Sequence, residues 1–398
     1  MLNLRRNYID SFRGLRREIW YLAIITFINR AGTMVIPFLS LYLTKDKGFS
    51  LSEVGSIMSA FGFGSVIGSW LGGKLTTKWG FYPVMLWSLI FSSIGFVLIQ
   101  FISSFYGLCV GVFLLIIVTD TFRPAVYVSI NAYSKPENQT RSVTLIRLAI
   151  NLGFSFGPAL GGIIIAGLGY GGLFWVDGVT CLLAAFIFLA LLNRKASSEQ
   201  KDDIQLGAKK SPYKDYPYLL FIFIIFLIGV AFLQFFSTIP LYYDEVYGLS
   251  ETEIGLLMAL NGGLIFILEM PLIKKLESPN YSAYNILIFS MVLFALSFLV
   301  LNLFDGMGIL ILSMLFVTFG EMLNFPFINN LALKRSEGKN MGDYMALFSI
   351  SFAVAHIVAH KSGMELIKHF GYDTTWYVMT GCIIVGLFLF LWLKKIKL

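Results

Sequence analysis

Residues 193–217 read NRKASSEQKDDIQLGAKKSPYKDYP and form the longest hydrophilic run of the chain. Six long apolar segments lie on each side of this run, which therefore divides the chain into two similar parts. Of the 398 residues, 57% are hydrophobic and only 13% are charged, whereas a soluble domain carries about 25% charged residues. Because the apolar residues are grouped into segments long enough to cross a bilayer, the sequence predicts an all-α membrane protein with twelve transmembrane helices.

The two parts of the chain resemble each other in sequence. The stretch PLYYDEVYGLSETEIG at 240–255 matches PFLSLYLTKDKGFSLSEVG at 37–55, and both end in the frame Gly-[Phe/Leu]-Ser-x-[Ser/Thr]-Glu-[Val/Ile]-Gly. Internal repeats of six spans are typical of secondary transporters. We therefore predict an N-terminal six-helix bundle at 1–192, a cytosolic linker at 193–216 and a C-terminal six-helix bundle at 217–398.

The net charge of +7 reflects the topology of the chain in the membrane. Most of the 30 Lys and Arg residues lie in segments on the same side as the N-terminus, which the positive-inside rule assigns to the cytosol. We expect a multi-pass protein of the cell (inner) membrane with both termini cytosolic, the lipid bilayer as a partner and no nucleic-acid partner.

Several classes of function lack their motifs. The three cysteines, Cys109, Cys181 and Cys382, lie inside apolar spans and show neither disulfide nor metal-ligand spacing. The sequence contains no phosphate-binding loop of an ATP-driven pump and no hydrolase motif. We expect a protein that is not an enzyme, holds no metal or cofactor and takes its energy from a proton gradient.

The segment GGKLTTKWGFYP at 72–83 resembles the signature loop between spans 2 and 3 of the major facilitator superfamily. Its matching positions are Gly73, Leu75, Lys78 and Gly80. Thr77 stands where the family has an aspartate, which in the family helps to latch the cytoplasmic side in the outward-facing state. The resemblance implies a gating role for this segment, which without the aspartate would latch differently, through Lys74 or Lys78. Alternatively, the two lysines only anchor the topology at a tight turn.

A second resemblance lies in span 5, which reads TLIRLAINLGFSFGPALGGIIIAG at 144–167. It is similar to a motif associated with antiporters of the same superfamily, carried here by Gly153, Gly157, Pro158, Gly161 and Gly162. Glycines at this spacing allow helices to approach closely and a proline bends the helix, which suits a gate. The resemblance favours export over uptake.

Polar residues of the first half are candidates for substrate binding because charges at membrane depth are costly and usually functional. Arg30, next to Asn29, lies near the middle of span 1, and Asp120 and Arg123 share one face of span 4 with Tyr127 nearby. The alternative is that Asp120 and Arg123 neutralise each other and only pack. We expect Asp177, near the outer end of span 6, to reach water and to be structural.

The second half supplies a different set of polar residues. Glu321 and His356 lie near the middle of spans 10 and 11, and we assign them to proton coupling, because a carboxylate and an imidazole at this depth can exchange protons. A hydrogen bond that only joins two helices is the alternative. We expect Glu269 to be structural and His360 and Lys361 to form a wet face. Further candidates for substrate binding are Gln234, Phe235, Asn261 and Asn324.

Together these resemblances identify the chain as a member of the major facilitator superfamily. The family implies alternating access by two halves that rock about a cavity at the membrane midplane. We expect proton-coupled export of a small amphipathic or drug-like molecule by a monomer. One alternative is proton-coupled uptake of a carboxylate-bearing solute or short peptide, with Arg30 and Arg123 binding the anion. Another is a membrane receptor or scaffold that transports nothing.

Overall fold

The computed structural model describes residues 14–135, 138–193, 211–276, 280–336 and 341–395, and these residues contain helices and no strand. Residues 194–210 of the predicted linker lie outside the described residues. The α-helices in chain order are α1 (Arg17–Ala31), α2 (Val35–Leu41), α3 (Leu51–Trp79), α4 (Phe81–Ile99), α5 (Phe105–Tyr133), α6 (Gln139–Leu191), α7 (Tyr216–Phe232), α8 (Thr238–Glu245), α9 (Glu251–Leu276), α10 (Ala283–Leu303), α11 (Met307–Ser336) and α12 (Met341–Lys395).

Two of these helices are too long to be single spans. The 53 residues of α6 and the 55 residues of α12 would each extend about 80 Å, against a hydrocarbon core of about 30 Å. Each is interrupted by a glycine with positive φ, Gly169 at φ 69° and Gly371 at φ 79°. The described chain contains ten apolar stretches long enough to cross a membrane. Because α6 and α12 each contain two spans, one on either side of the break, the ten stretches correspond to twelve spans. The predicted all-α membrane fold with twelve spans is confirmed.

The first span of each repeat is broken at matching positions. Span 1 consists of α1 and α2, separated by Gly32–Met34, and a π-helical turn at Tyr42–Asp46 continues it. Span 7 consists of α7 and α8, joined by a 3₁₀ turn at Leu233–Phe236. A break exposes backbone N–H groups that need partners inside the membrane, and the two repeats supply those partners differently.

The shared sequence frame forms the same cap at the start of α3 and of α9. Ser50 N donates to Glu53 at 2.9 Å and Ser50 Oγ donates to Glu53 at 2.7 Å, and the distances at Ser250 and Glu253 are the same. In return, Glu53 N donates to Ser50 Oγ and Glu253 N donates to Ser250 Oγ, each at 3.4 Å, so the arrangement is a capping box. The repeat recognised in the sequence is therefore a repeat of structure.

The chain forms two compact units, which are described separately. The first comprises residues up to Ile36 together with those from Gly64 to the end of α6. In it, α1 packs on α6, and α4 packs on α5 and α6, around a core that includes Ile25, Phe81 and Phe188. Many large apolar side chains of this unit are exposed, as lipid contact requires, and they include Trp87, Phe91 and Phe186.

The second compact unit comprises Pro37–Phe63 together with the second half of the sequence. In it, α7 packs on α12, α10 packs on α11 and α12, and α9 packs on α11. The segment Pro37–Phe63 joins this unit through polar contacts, such as Lys45 Nζ with Asp244 at 2.7 Å. The predicted division at 1–192 and 217–398 remains a prediction, since compactness groups this segment with the second half.

Candidate functional site

Four of the predicted polar residues of the first half lie together in the first unit. Arg30, at the end of α1, interacts electrostatically with Asp120, Arg123 and Tyr127 of α5. Their spacing places the three α5 residues on one helix face. Two guanidinium groups and one carboxylate give this cluster a formal charge of +1.

Arg30 and Asp120 also contact neighbours outside the cluster. The guanidinium carbon of Arg30 lies 6.0 Å from the ring centroid of Phe154, within the range of a cation–π contact. The hydroxyl of Ser65, on α3, donates a hydrogen bond to Asp120. Arg123 and Tyr127 are exposed. The arrangement therefore combines the exposed guanidinium group of Arg123 with an aromatic face at Arg30, and such a combination can bind an anionic group with an apolar body.

The glycine motif of span 5 packs against the backbone of α1 at Arg30, beside this cluster. A Cβ on Gly153 would lie 2.5 Å from Cβ of Arg30, and one on Gly157 would lie 3.3 Å from the carbonyl oxygen of Ala31. Pro158, Gly161 and Gly162 follow in α6 and are buried. The motif therefore lets α6 approach the backbone of α1 at Arg30, and its gating role remains a prediction.

Asn29 faces away from the charged cluster. Its side chain is buried, and its Nδ2 donates to Sγ of Cys181 at 3.9 Å, on the later part of α6. This contact joins span 1 to span 6. A role of Asn29 in substrate binding remains a prediction.

The signature segment at 72–83 is mostly helical. The helix α3 continues through Lys74, Thr77 and Lys78, and the turn is made at Gly80, whose φ is 84°. The Thr77 hydroxyl donates to the carbonyl oxygen of Gly73 at 3.1 Å within the helix, where the family has an aspartate. Lys74 Nζ lies 4.0 Å from the centre of the Trp70 ring. The latch function of the two lysines remains a prediction.

Glu321 belongs to a hydrogen-bond network in the second unit. Asn261 Nδ2, on α9, donates to Glu321 Oε2 at 3.1 Å and to Thr318 Oγ1 at 3.0 Å on α11. The buried carboxylate of Glu269 also interacts electrostatically with Glu321. The structure therefore brings two carboxylates and an amide together where the sequence singled out Glu321 and Asn261 separately.

His356 lies on α12 against the segment Pro37–Phe63. Its ring stacks on Phe61 with centroids 6.1 Å apart, and it lies 5.7 Å from the ring of His360. A Cβ on Gly62 would approach the backbone of His356 to 3.0 Å. The joint role of His356 and Glu321 in proton coupling remains a prediction.

Three further predicted residues of the second half are packed in its interior. Gln234 is fully buried, and its amide donates to the carbonyl oxygens of Val230 and Ala359 at 3.1 and 2.9 Å. Asn324 is fully buried and donates to Ser290 Oγ at 2.9 Å. Phe235 lines a small cavity. These contacts give each of the three residues a packing function, and their assignment to substrate binding remains a prediction.

Two expectations from the sequence were wrong. Asp177 does not reach water: its exposed fraction is 0%, and its oxygens accept the backbone N–H groups of Met34 and Val35, each at 3.0 Å. His360 is also buried, at 1% exposed. Both errors have the same cause: the depth of a residue along a span does not determine its exposure, which depends on the neighbouring helices.

Lys361 has partners that the sequence did not indicate. Its Nζ forms an ion pair with Glu365 at 2.9 Å and donates to Ser52 Oγ at 2.8 Å and Ser56 Oγ at 3.0 Å. The Ser52 hydroxyl also donates to Glu365. No motif marks this cluster, because its serines and its charges are about 300 residues apart in sequence.

The comparisons with known proteins agree with this architecture. The model of the Major Facilitator Superfamily matches residues 22–360. A Na⁺, Li⁺, K⁺/H⁺ antiporter from Planococcus maritimus is 21% identical, covering 92% of this chain and 93% of its own. Multidrug resistance protein 2 of Bacillus subtilis (strain 168) is 23% identical, covering 61% of this chain and 62% of its own.

Among solved structures, the peptide transporter POT in complex with sulfate has the same fold. It superposes with a TM-score of 0.80 at 16% identity, covering 97% of this chain and 95% of its own. At this identity the likeness is one of fold only.

Proposed function

Because the chain belongs to the Major Facilitator Superfamily of membrane transporters, we propose that it exports a small amphipathic or drug-like molecule in exchange for protons. The proposed location is the cell membrane, with both termini cytosolic and a monomer as the working unit. This orientation is supported by the concentration of Lys and Arg in the segments on the same side as the N-terminus.

The observation that carries the proposal is the cluster of Arg30, Asp120, Arg123 and Tyr127. Charged groups inside apolar spans are costly unless a partner or a substrate compensates them. Arg123 and Tyr127 are exposed, and the aromatic ring of Phe154 adjoins Arg30. A substrate with one anionic group and an aromatic body fits both the excess positive charge and the rings.

The second unit supports proton coupling through Glu321. Its carboxylate accepts a hydrogen bond from Asn261 at 3.1 Å and lies near the buried carboxylate of Glu269. A carboxylate at membrane depth beside a second carboxylate and an amide is suited to gain and lose a proton during a transport cycle. The Planococcus relative, named as an antiporter of cations with protons, is consistent with this coupling.

Export is favoured by the glycine motif, which packs against α1 next to Arg30. The motif thus adjoins the proposed substrate site, so a bend of α6 at Pro158 would change the position of the residues that bind the substrate. The relative from Bacillus subtilis named as a multidrug resistance protein is also consistent with export.

Uptake of a carboxylate-bearing solute or short peptide is the second candidate. It is favoured by the two guanidinium groups of Arg30 and Arg123, which outnumber the single carboxylate of Asp120. The solved structure with the same fold that is named as a peptide transporter is consistent with this candidate.

Flux in proteoliposomes under an imposed pH gradient separates the candidates. Dansylglycine serves as the amphipathic anion and alanyl-alanine as the short peptide, with the membrane potential clamped by valinomycin and equal potassium. Exchange with protons predicts that dansylglycine accumulates when the lumen is acidic, opposite to the passive distribution of a weak acid. Cotransport predicts that alanyl-alanine accumulates when the lumen is alkaline. Flux equal to that of protein-free liposomes under both gradients would contradict both candidates and favour a receptor or scaffold.

The residues are tested in the same assay. Arg30→Ala should abolish dansylglycine flux while the purified protein stays folded, and Arg30→Lys, which keeps the charge, serves as the matched control. Normal flux in Arg30→Ala would remove Arg30 from the substrate site.

A further inference from the structure

The break in span 1 is held by a carboxylate from span 6. The helix α1 ends at Ala31, and α2 begins at Val35. The first N–H groups of a new helix have no partner within it, and no water replaces the missing partner inside a bilayer. Here Asp177 Oδ1 accepts from Met34 N and Oδ2 accepts from Val35 N, each at 3.0 Å.

The remaining contacts of this region fit the break closely. Gly32 leaves no room for a side chain, because a Cβ there would lie 1.9 Å from Thr180 Oγ1. Thr180 in turn donates to the carbonyl oxygens of Val176 and Asp177, which fixes its rotamer. One turn after Asp177, Cys181 is 0% exposed and accepts from Asn29. Residues of span 6 therefore contact span 1 both before the break, at Asn29, and after it, at Met34 and Val35.

The second repeat holds its break in another way. At the offset that separates the two break glycines, Gly169 and Gly371, Met379 stands at the position matching Asp177 and supplies no carboxylate. The turn closes on itself, with Ser237 N donating to Gln234 O at 3.1 Å. The amide of Gln234 anchors the turn to Ala359 O at 2.9 Å. A closed turn needs no external carboxylate, so the two repeats solve the same backbone problem with different chemistry.

The break that Asp177 holds lies close to the proposed substrate site. Arg30, the proposed substrate ligand, precedes the break, and Val35 follows it. The chain passes from the first compact unit to the second directly after Ile36. The two hydrogen bonds to Asp177 therefore fix the backbone at Met34 and Val35, within the first compact unit.

We propose that Asp177 is a positioning residue, which holds the break in span 1 and thereby sets the position of Arg30 at the substrate site. The part of this inference that concerns Arg30 rests on the proposed function. The part that concerns the break does not, and the two are tested separately.

The break is tested by the reactivity of Cys181 towards N-ethylmaleimide. In a protein with Cys109→Ser and Cys382→Ser, Cys181 is the only thiol left, and its buried position predicts slow alkylation. Asp177→Asn keeps the shape of the side chain but replaces one acceptor oxygen by a donor that faces an N–H group. Losing one charge-assisted hydrogen bond predicts alkylation about tenfold faster.

Two controls distinguish a local opening from general loosening. Asp305→Asn makes the same change at an exposed carboxylate and should leave the Cys181 rate unchanged. In a protein whose only thiol is Cys382, Asp177→Asn should leave the alkylation rate unchanged as well. An unchanged rate at Cys181, or an equal acceleration at Cys382, would overturn the proposal.

The effect on Arg30 is measured with dansylglycine flux. Asp177→Asn should raise the KM about tenfold and change kcat by less than about twofold, because the binding group is displaced while the later steps are kept. Asp177→Glu, which retains a carboxylate, should bring the KM most of the way back to that of the unsubstituted protein. If Asp177→Asn does not fold, Asp177→Ser, which has one acceptor oxygen for the two N–H groups, takes its place in both measurements with the same expected changes. A fall of about tenfold in kcat with an unchanged KM would reject the positioning role. If the unsubstituted protein does not transport dansylglycine, the proposed function fails while the alkylation result still stands.

Discussion

Gly153→Ala tests whether α1 and α6 must approach closely at Arg30. The added Cβ would lie 2.5 Å from Cβ of Arg30 and 2.9 Å from N of Ala31, whereas ordinary contacts begin near 3.4 Å. Because one of these atoms belongs to the backbone, a change of rotamer cannot relieve the contact, and the two helices must separate by about 1 Å.

The magnitude follows from two opposed contributions. Overpacking a tight contact costs about 1–3 kcal/mol, and replacing glycine by alanine in a helix returns about 1 kcal/mol. Gly167→Ala is the matched control, because Gly167 lies on the same helix and nothing lies within 4 Å of its added Cβ. Gly153→Ala should therefore be less stable than Gly167→Ala by about 1–3 kcal/mol, since the helix contribution cancels between them.

The difference is measured as the free energy of unfolding, by equilibrium titration with denaturing detergent, together with dansylglycine flux. Displacing Arg30 should also lower the flux of Gly153→Ala relative to Gly167→Ala. Equal stability and equal flux in the two variants would show that the close approach of α1 and α6 at Gly153 is not required, and the interpretation of the glycine motif would have to be abandoned.

The other predictions concern the proton, the signature segment and the Lys361 cluster. Glu321→Gln should abolish the pH dependence of dansylglycine accumulation while exchange without a gradient persists, since an amide exchanges no proton; an unchanged pH response would contradict the assignment. Thr77→Asp restores the family residue and should shift the accessibility of single cysteines between the two membrane sides; identical accessibility would refute the latch. Lys361→Met should lower the free energy of unfolding by about 1 kcal/mol, a value reduced for partial exposure, with the exposed Lys368→Met as control; equal values in both would show that the cluster contributes nothing.

Much of the architecture was predictable from the sequence. Twelve spans follow from the lengths of the apolar runs, and the duplicated frame at Ser50 and Ser250 predicts matching local structure, which the two capping boxes confirm. The grouping of Asp120, Arg123 and Tyr127 on one helix face follows from helical spacing alone. These features are predictable because they depend on residues close together in sequence.

Contacts between distant segments were not predictable in this way. No motif predicts that Lys361 contacts Ser52, or that Pro37–Phe63 belongs to the second compact unit. Gln234 was chosen as a polar residue at membrane depth, yet its amide is occupied by carbonyl groups of its own unit. Depth along a span is a property of the sequence, whereas exposure depends on which helices pack beside it.

Asp177 shows this division most clearly. The sequence alone determined that the protein crosses the membrane twelve times, that its halves are duplicated and that certain charges lie in apolar spans, because the hydrophobic effect and helix periodicity act on local stretches. Only the tertiary structure decided that Asp177 holds the break at Met34 and Val35, over a separation of more than 140 residues. The physical reason is that a broken helix inside a membrane must find hydrogen-bond acceptors, and any neighbouring helix with a suitable side chain can supply them.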